Sequence, residues 1–197
     1  MDGLNTSYTI MHPHAECPPL PRGDLWVFAY GSLMWNPAFP YVQSASALLR
    51  GYHRSFCIWS ARYRGTPQQP GLVLGLDRGG ACRGIAFRVA EKQVSDVLAL
   101  LWDREMPRLT YQPRMVKVTL KATRVEALTF VANPRRESYA GALEDEEVAQ
   151  RIACCSGMRG PNVEYLANTL SHLEALGVRD PHLTRIYGVV RRLREGQ

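Results

Sequence analysis

The sequence contains no long apolar run, no metal-binding cysteine spacing and no glycine-rich phosphate loop. Nothing in its 197 residues approaches the roughly 18 consecutive apolar positions of a membrane-spanning helix, so no membrane partner is expected. Residues 1–21 have neither the basic stretch nor the apolar core of a secretory signal, and the cytoplasm is the expected compartment. Residues 1–24, rich in proline, read as a loose tail. The five cysteines (Cys17, Cys57, Cys82, Cys154 and Cys155) are odd in number and form no C-x-x-C, which argues against a disulfide framework or a zinc site. His12, His14 and Cys17 come nearest to a metal set, but a fourth ligand is missing. There is no G-x-G-x-x-G and no P-loop, so neither a metal nor an organic cofactor is expected. Ser32 lies in Tyr-Gly-Ser-Leu and not in the G-x-S-x-G elbow of a serine hydrolase. Repeats and low-complexity segments are absent as well.

Acidic residues are in deficit: 18 Asp and Glu against 24 Lys and Arg give a net charge of +6. The arginines are scattered. Their one short cluster, Arg191-Arg192-Leu193-Arg194, falls in a basic end at residues 191–197, and no nucleic-acid motif accompanies it. A nucleic-acid partner is therefore not expected, whereas steering of an anionic small molecule is compatible with this balance. Hydrophobic residues make up 46%, ample for one core, and residues 25–190 are expected to form a single domain acting as a monomer.

Two local features carry chemistry. Leu25-Trp26-Val27-Phe28-Ala29-Tyr30 reads as a buried strand that stops at Gly31-Ser32. Glycine there permits a turn at positive φ, which leaves neighbouring N–H groups pointing outward as donors for a carboxylate or an oxyanion. Further on, Val94, Val97, Leu98 and Leu101 recur at i, i+3, i+4 and i+7, and the next position of that stripe is Glu105. Pro107 stops the helix at or before Met106. A carboxyl in line with four aliphatic side chains, at the negative end of a helix dipole, should ionise above the ordinary range. Such a group can carry a proton near neutral pH.

The remaining chain reads as strands with few helices. A strand pair is expected around Gly51 between Leu48 and Trp59, then Leu72–Leu74 and Ile85–Val89 joined by a hairpin-like turn at Asp77-Arg78-Gly79-Gly80. Strands follow at Met115–Leu120 and Val125–Val131. One helix opens at Glu144, and a second, capped by Asn162, runs to Leu176 and ends at Gly177. This order predicts an α+β fold with a curved mixed sheet or small barrel.

The ordered segments Val27-Phe28-Ala29-Tyr30-Gly31-Ser32-Leu33-Met34-Trp35-Asn36-Pro37, Arg64-Gly65-Thr66-Pro67, Gly84-Ile85-Ala86-Phe87, Arg104-Glu105, Tyr139-Ala140-Gly141 and Gly157–Leu166 resemble the ChaC family of γ-glutamylcyclotransferases. The resemblance covers residues 25 to about 177. It implies a γ-glutamylcyclotransferase-like small mixed β-barrel with flanking helices. It also implies a lyase reaction in which the substrate, glutathione, cyclises to 5-oxoproline and releases Cys-Gly. On this reading Glu105 is the general acid and base, and Tyr30, Gly31, Ser32 and Leu33 bind the γ-glutamyl group. Arg64 and Tyr139 are further substrate-binding candidates. Glu164 and Tyr165, in the first turn of a helix, read as capping or packing residues. The alternatives are cyclisation of other γ-glutamyl amino acids or amines, and a non-catalytic ligand-binding relative.

Overall fold

The computed structural model describes residues 17–106 and 108–196. Five strands close into a barrel: β1 (Leu25–Ala29), β2 (Gln43–Ser60), β3 (Gly71–Val89), β4 (Tyr111–Leu120) and β5 (Thr123–Ala132). Their order around the barrel is β1-β3-β2-β4-β5. Closure comes from β1, which pairs antiparallel with β3 (Leu25 opposite Val89) and parallel with β5 (Trp26 opposite Ala127). The small mixed barrel expected from the sequence is present.

β2 and β3 are single strands of 18 and 19 residues, not the shorter pieces and hairpin read from the sequence. A straight strand of that length would run roughly 60 Å. Both bend where Arg50 opposes Ala81 and Tyr52 opposes Arg78, leaving Gly51 against Gly79 and Gly80. Those three glycines have φ of 84°, 98° and 62°, a region that other residues rarely enter. The glycines that resemble a turn are therefore a bulge that lets one strand pair wrap the barrel.

Among the described residues four helices flank the barrel: α1 (Val94–Glu105), α2 (Asp145–Cys154), α3 (Asn162–Ala175) and α4 (Pro181–Glu195). The α1 stripe is buried as its spacing requires, with Val94, Val97, Leu98 and Leu101 at most 4% exposed. Trp102 is fully buried and meets Phe130 of β5 edge to face, 5.6 Å between ring centres. Two short strands, β6 (Ser156–Gly157) and β7 (Gly160–Pro161), form a ribbon between α2 and α3.

Two sequence readings are corrected here. Asn162 does not cap α3. Its side chain is fully buried, accepts from the Leu72 N–H at 2.6 Å and donates to the Leu72 carbonyl at 2.8 Å. It ties the helix to β3. The basic end at 191–197 is the last turn of α4 for residues 191–195, so the boundary drawn at 190 cuts a helix. The α4 signals are local: Asp180 accepts from the Leu183 N–H, Pro181 opens the first turn, and Leu183, Ile186 and Val190 form a buried stripe. The tail read at residues 1–24 lies outside the described residues for 1–16, as do His12 and His14; Pro107 is also outside them.

Candidate active site

β1 ends at Ala29, and the residues on either side of that end, Phe28 and Tyr30, line one cavity. Beyond Tyr30 the chain makes a 3-10 turn at Ser32–Met34, closed by Met34 N–H on the Gly31 carbonyl at 2.8 Å. Gly31 has φ −129°, so the turn is made by the 3-10 hydrogen bond and not by a positive φ at this glycine. The first N–H groups of such a turn have no acceptor within it.

Two arginines hold this loop. Arg54, buried on β2, donates from Nε to the Tyr30 carbonyl at 2.5 Å and from Nη2 to the Arg83 carbonyl at 2.8 Å. Its Nη1 pairs with Asp180 at the head of α4, also at 2.5 Å. The loop root is thereby tied to the barrel wall and to a helix 126 positions further along the chain. On the outer side Arg104 of α1 donates to the Asn36 carbonyl at 2.8 Å and to Ser32 Oγ at 2.9 Å. Its Nε lies 3.3 Å from Glu105 Oε1. One guanidinium thus bridges the loop and the carboxylate.

Glu105 is the last residue of α1, and its side chain is only 16% exposed. Burial raises the pKa of its carboxyl, and Arg104 opposes that rise in part. The upward direction is the one expected from the stripe. Glu105, Tyr30, Gly31, Ser32 and Leu33 all line one cavity of about 60 Å³. The other walls come from Phe28, Leu74, Phe130, Tyr111 and Tyr165. That volume is small against the roughly 300–1,000 Å³ of pockets that take up a whole drug-sized ligand. It suits one end of a ligand.

Three tyrosines give the cavity its polar character. Tyr111 donates to the Leu74 carbonyl at 3.0 Å, and Tyr165 accepts from the Leu74 N–H at 3.4 Å. Desolvation raises the Tyr30 and Tyr111 pKa values well above normal and pushes Tyr165 up to about 12. All three are neutral phenols, able to donate, at physiological pH. Tyr165 is therefore a pocket wall as well as a packing residue, contrary to its sequence reading. Tyr111 gave no sequence signal, because only closure of the barrel brings the first residue of β4 against Glu105.

Arg64 and Tyr139 do not line this cavity. Arg64 lies behind it, its guanidinium 5.3 Å from the centre of the Tyr165 ring, and donates to the Arg159 and Pro161 carbonyls at 2.7 and 3.1 Å. Tyr139 donates to the Asp77 carboxylate at 2.9 Å. Glu164 faces Gly160 and Arg64. Among the described residues no group of three His, Cys, Asp or Glu side chains could hold a metal ion, and no helix is long and apolar enough to cross a membrane.

The arrangement is a desolvated carboxyl facing a loop of backbone donors across a cavity lined with phenols. It can bind an anionic group at the loop and move a proton at the carboxyl. Known proteins resemble the chain in sequence and fold. A glutathione-specific γ-glutamylcyclotransferase of Escherichia coli is 38% identical over 173 residues, covering 87% of this chain and 75% of that protein. The human glutathione-specific γ-glutamylcyclotransferase 1 is 35% identical over 198 residues, covering 94% and 89%. The crystal structure of a γ-glutamyl cyclotransferase specific to glutathione from yeast superposes with a TM-score of 0.77 at 21% identity, covering 89% and 99%. The family model for ChaC-like proteins matches residues 25–193, which takes in every wall of the cavity, and the chain belongs to that family.

Proposed function

We propose that the protein is a γ-glutamylcyclotransferase that converts glutathione to 5-oxoproline and Cys-Gly, with residues 25–195, through the end of α4, as its catalytic domain. The observation that carries this reading is Glu105, a buried carboxyl of raised pKa set across a small cavity from the Tyr30–Leu33 loop. The reaction is internal. The α-amine of the γ-glutamyl group attacks its own γ-carbonyl, a five-membered lactam forms, and the C–N bond to cysteine breaks. Nucleophile and electrophile are in one molecule, so holding the chain in its folded conformation supplies the proximity advantage.

The protons balance around one carboxylate. The substrate ammonium brings three. One stays on the lactam nitrogen and two finish on the departing amine. Glu105 therefore relays two protons in turn, taking each from the attacking nitrogen and passing it to the leaving nitrogen, which departs as an ammonium, and its raised pKa suits both taking and giving. Backbone N–H groups of Gly31, Ser32 and Leu33 receive the γ-glutamyl end, and Tyr30 with Tyr165 supplies phenol donors to its oxygens. Arg64 acts through the Tyr165 ring that it stacks on, and Tyr139 contributes from outside the cavity. A single chain suffices, since all of these groups come from one copy.

The reading is tested by quantifying 5-oxoproline from glutathione beside γ-glutamyl-alanine. Turnover of glutathione well above that of γ-glutamyl-alanine is the expected result. Turnover of the dipeptide alone would keep the reaction class and overturn the substrate, and no 5-oxoproline from either would overturn both.

A further inference from the structure

At the surface, three guanidinium groups surround one aromatic ring. The central carbons of Arg159, Arg62 and Arg108 lie 4.5, 5.7 and 5.9 Å from the centre of the Tyr63 ring. All three arginines are exposed, and among the described residues none of them forms an ion pair. Like charges repel, and the Tyr63 ring offsets only part of that repulsion, so the cluster favours an anion placed among its three guanidinium groups. The cluster is built in advance. Arg159 N–H donates to the Tyr63 carbonyl at 3.0 Å and Met158 N–H to the Arg62 carbonyl at 2.9 Å, which fastens the two loops together.

Its position relative to Glu105 is set at two points. Arg108 follows Glu105 by three residues, a backbone separation of at most about 11 Å. Tyr63 adjoins Arg64, whose guanidinium packs on the cavity wall at Tyr165. A cavity of about 60 Å³ holds only the γ-glutamyl end of a tripeptide. The remaining two residues, roughly 7 Å when extended, must leave over the surface beside Glu105. The length matches the reach of an arginine side chain from Arg108.

We propose that Arg62, Arg108 and Arg159, arrayed on Tyr63, form the subsite for the terminal carboxylate of the substrate's leaving half. This rests on the glutathione reading above and adds to it the feature that distinguishes a tripeptide ending in a carboxylate from a shorter or neutral γ-glutamyl compound. Guanidinium groups suit the task because they meet a carboxylate with two parallel N–H donors.

The test compares glutathione with its C-terminal amide, in the wild-type protein and in the Arg62→Gln/Arg108→Gln/Arg159→Gln variant. The wild type should prefer the acid by about tenfold in kcat/KM, carried by KM, as expected for charged hydrogen bonds at an accessible site. That preference should shrink with added salt. In the variant the acid-to-amide ratio should fall to about one. A wild-type ratio within twofold, or a ratio retained by the variant, overturns the subsite. Should the triple variant lose its thermal transition, Arg159→Gln alone, which removes the guanidinium nearest the ring, must still lower the ratio. 5-Oxoproline from neither compound would instead bring down the underlying reading.

Discussion

Replacing Glu105 by Gln keeps the shape of the side chain and removes its ability to take or give a proton. The carboxyl is 16% exposed and abuts the apolar stripe of α1, so the amide fits the same space. General acid–base assistance is worth roughly 10²- to 10⁴-fold, or about 3–5 kcal/mol of barrier. Because one group serves both transfers, the loss should lie at or above the top of that range. Stability should move the other way. Burial raises the folded-state pKa of Glu105 above the unfolded value of about 4.3. Between those two values the folded chain holds a proton that the unfolded chain has released. Stability therefore falls as pH rises through this window, and above it the full penalty of a buried charge remains. Glu105→Gln should melt at or above the wild-type temperature at pH 7, with the two proteins converging below about pH 4. Initial rates of 5-oxoproline formation and melting curves at both pH values check this. A folded, pure Gln variant within tenfold of wild-type kcat would refute the assignment, and Glu164 would become the next carboxyl to test.

Three further outcomes follow from named contacts. Arg104→Gln removes the cation that holds the Glu105 pKa down, so the acidic limb of the pH–rate profile should shift to higher pH, while KM rises because Ser32 and Asn36 lose their anchor. Arg104→Lys should restore the limb but not KM; an unmoved limb in Arg104→Gln would contradict the coupling. Asn162→Ala strands the Leu72 N–H and carbonyl in a buried site and should destabilise the fold by about 2–5 kcal/mol, read by denaturant unfolding, with a change under 1 kcal/mol counting against it. Cys57 and Cys82 are buried and none of the five cysteines lines the cavity, so Cys-to-Ala changes should alter stability while leaving kcat within a few-fold.

Legibility in the sequence tracked how local each cause was. The α1 stripe and its terminal Glu105 were readable because helix spacing and a following proline act within a few residues. β1 and the Tyr30–Leu33 loop were readable for the same reason, although Gly31 does not adopt the positive φ that made it conspicuous. β2 and β3 were misread as shorter pieces because the bulge at Gly51 and Gly79-Gly80 uses the same residues as a hairpin turn. α4 had sufficient local signals in Asp180, Pro181 and its apolar stripe, but they were obscured by the basic run near its end. The contacts that set up the site were beyond local reading. Arg54 to Asp180, Arg104 to Ser32 and Tyr111 to Leu74 span 126, 72 and 37 positions and exist only after the barrel closes.

The central claim is that the γ-carbonyl is attacked by the substrate's own amine and not by water. Turnover of glutathione in ¹⁸O-enriched water distinguishes the two directly. Internal attack predicts unlabelled 5-oxoproline and Cys-Gly in equal amounts with no free glutamate. Glutamate carrying ¹⁸O in its γ-carboxyl would show hydrolysis and contradict the account.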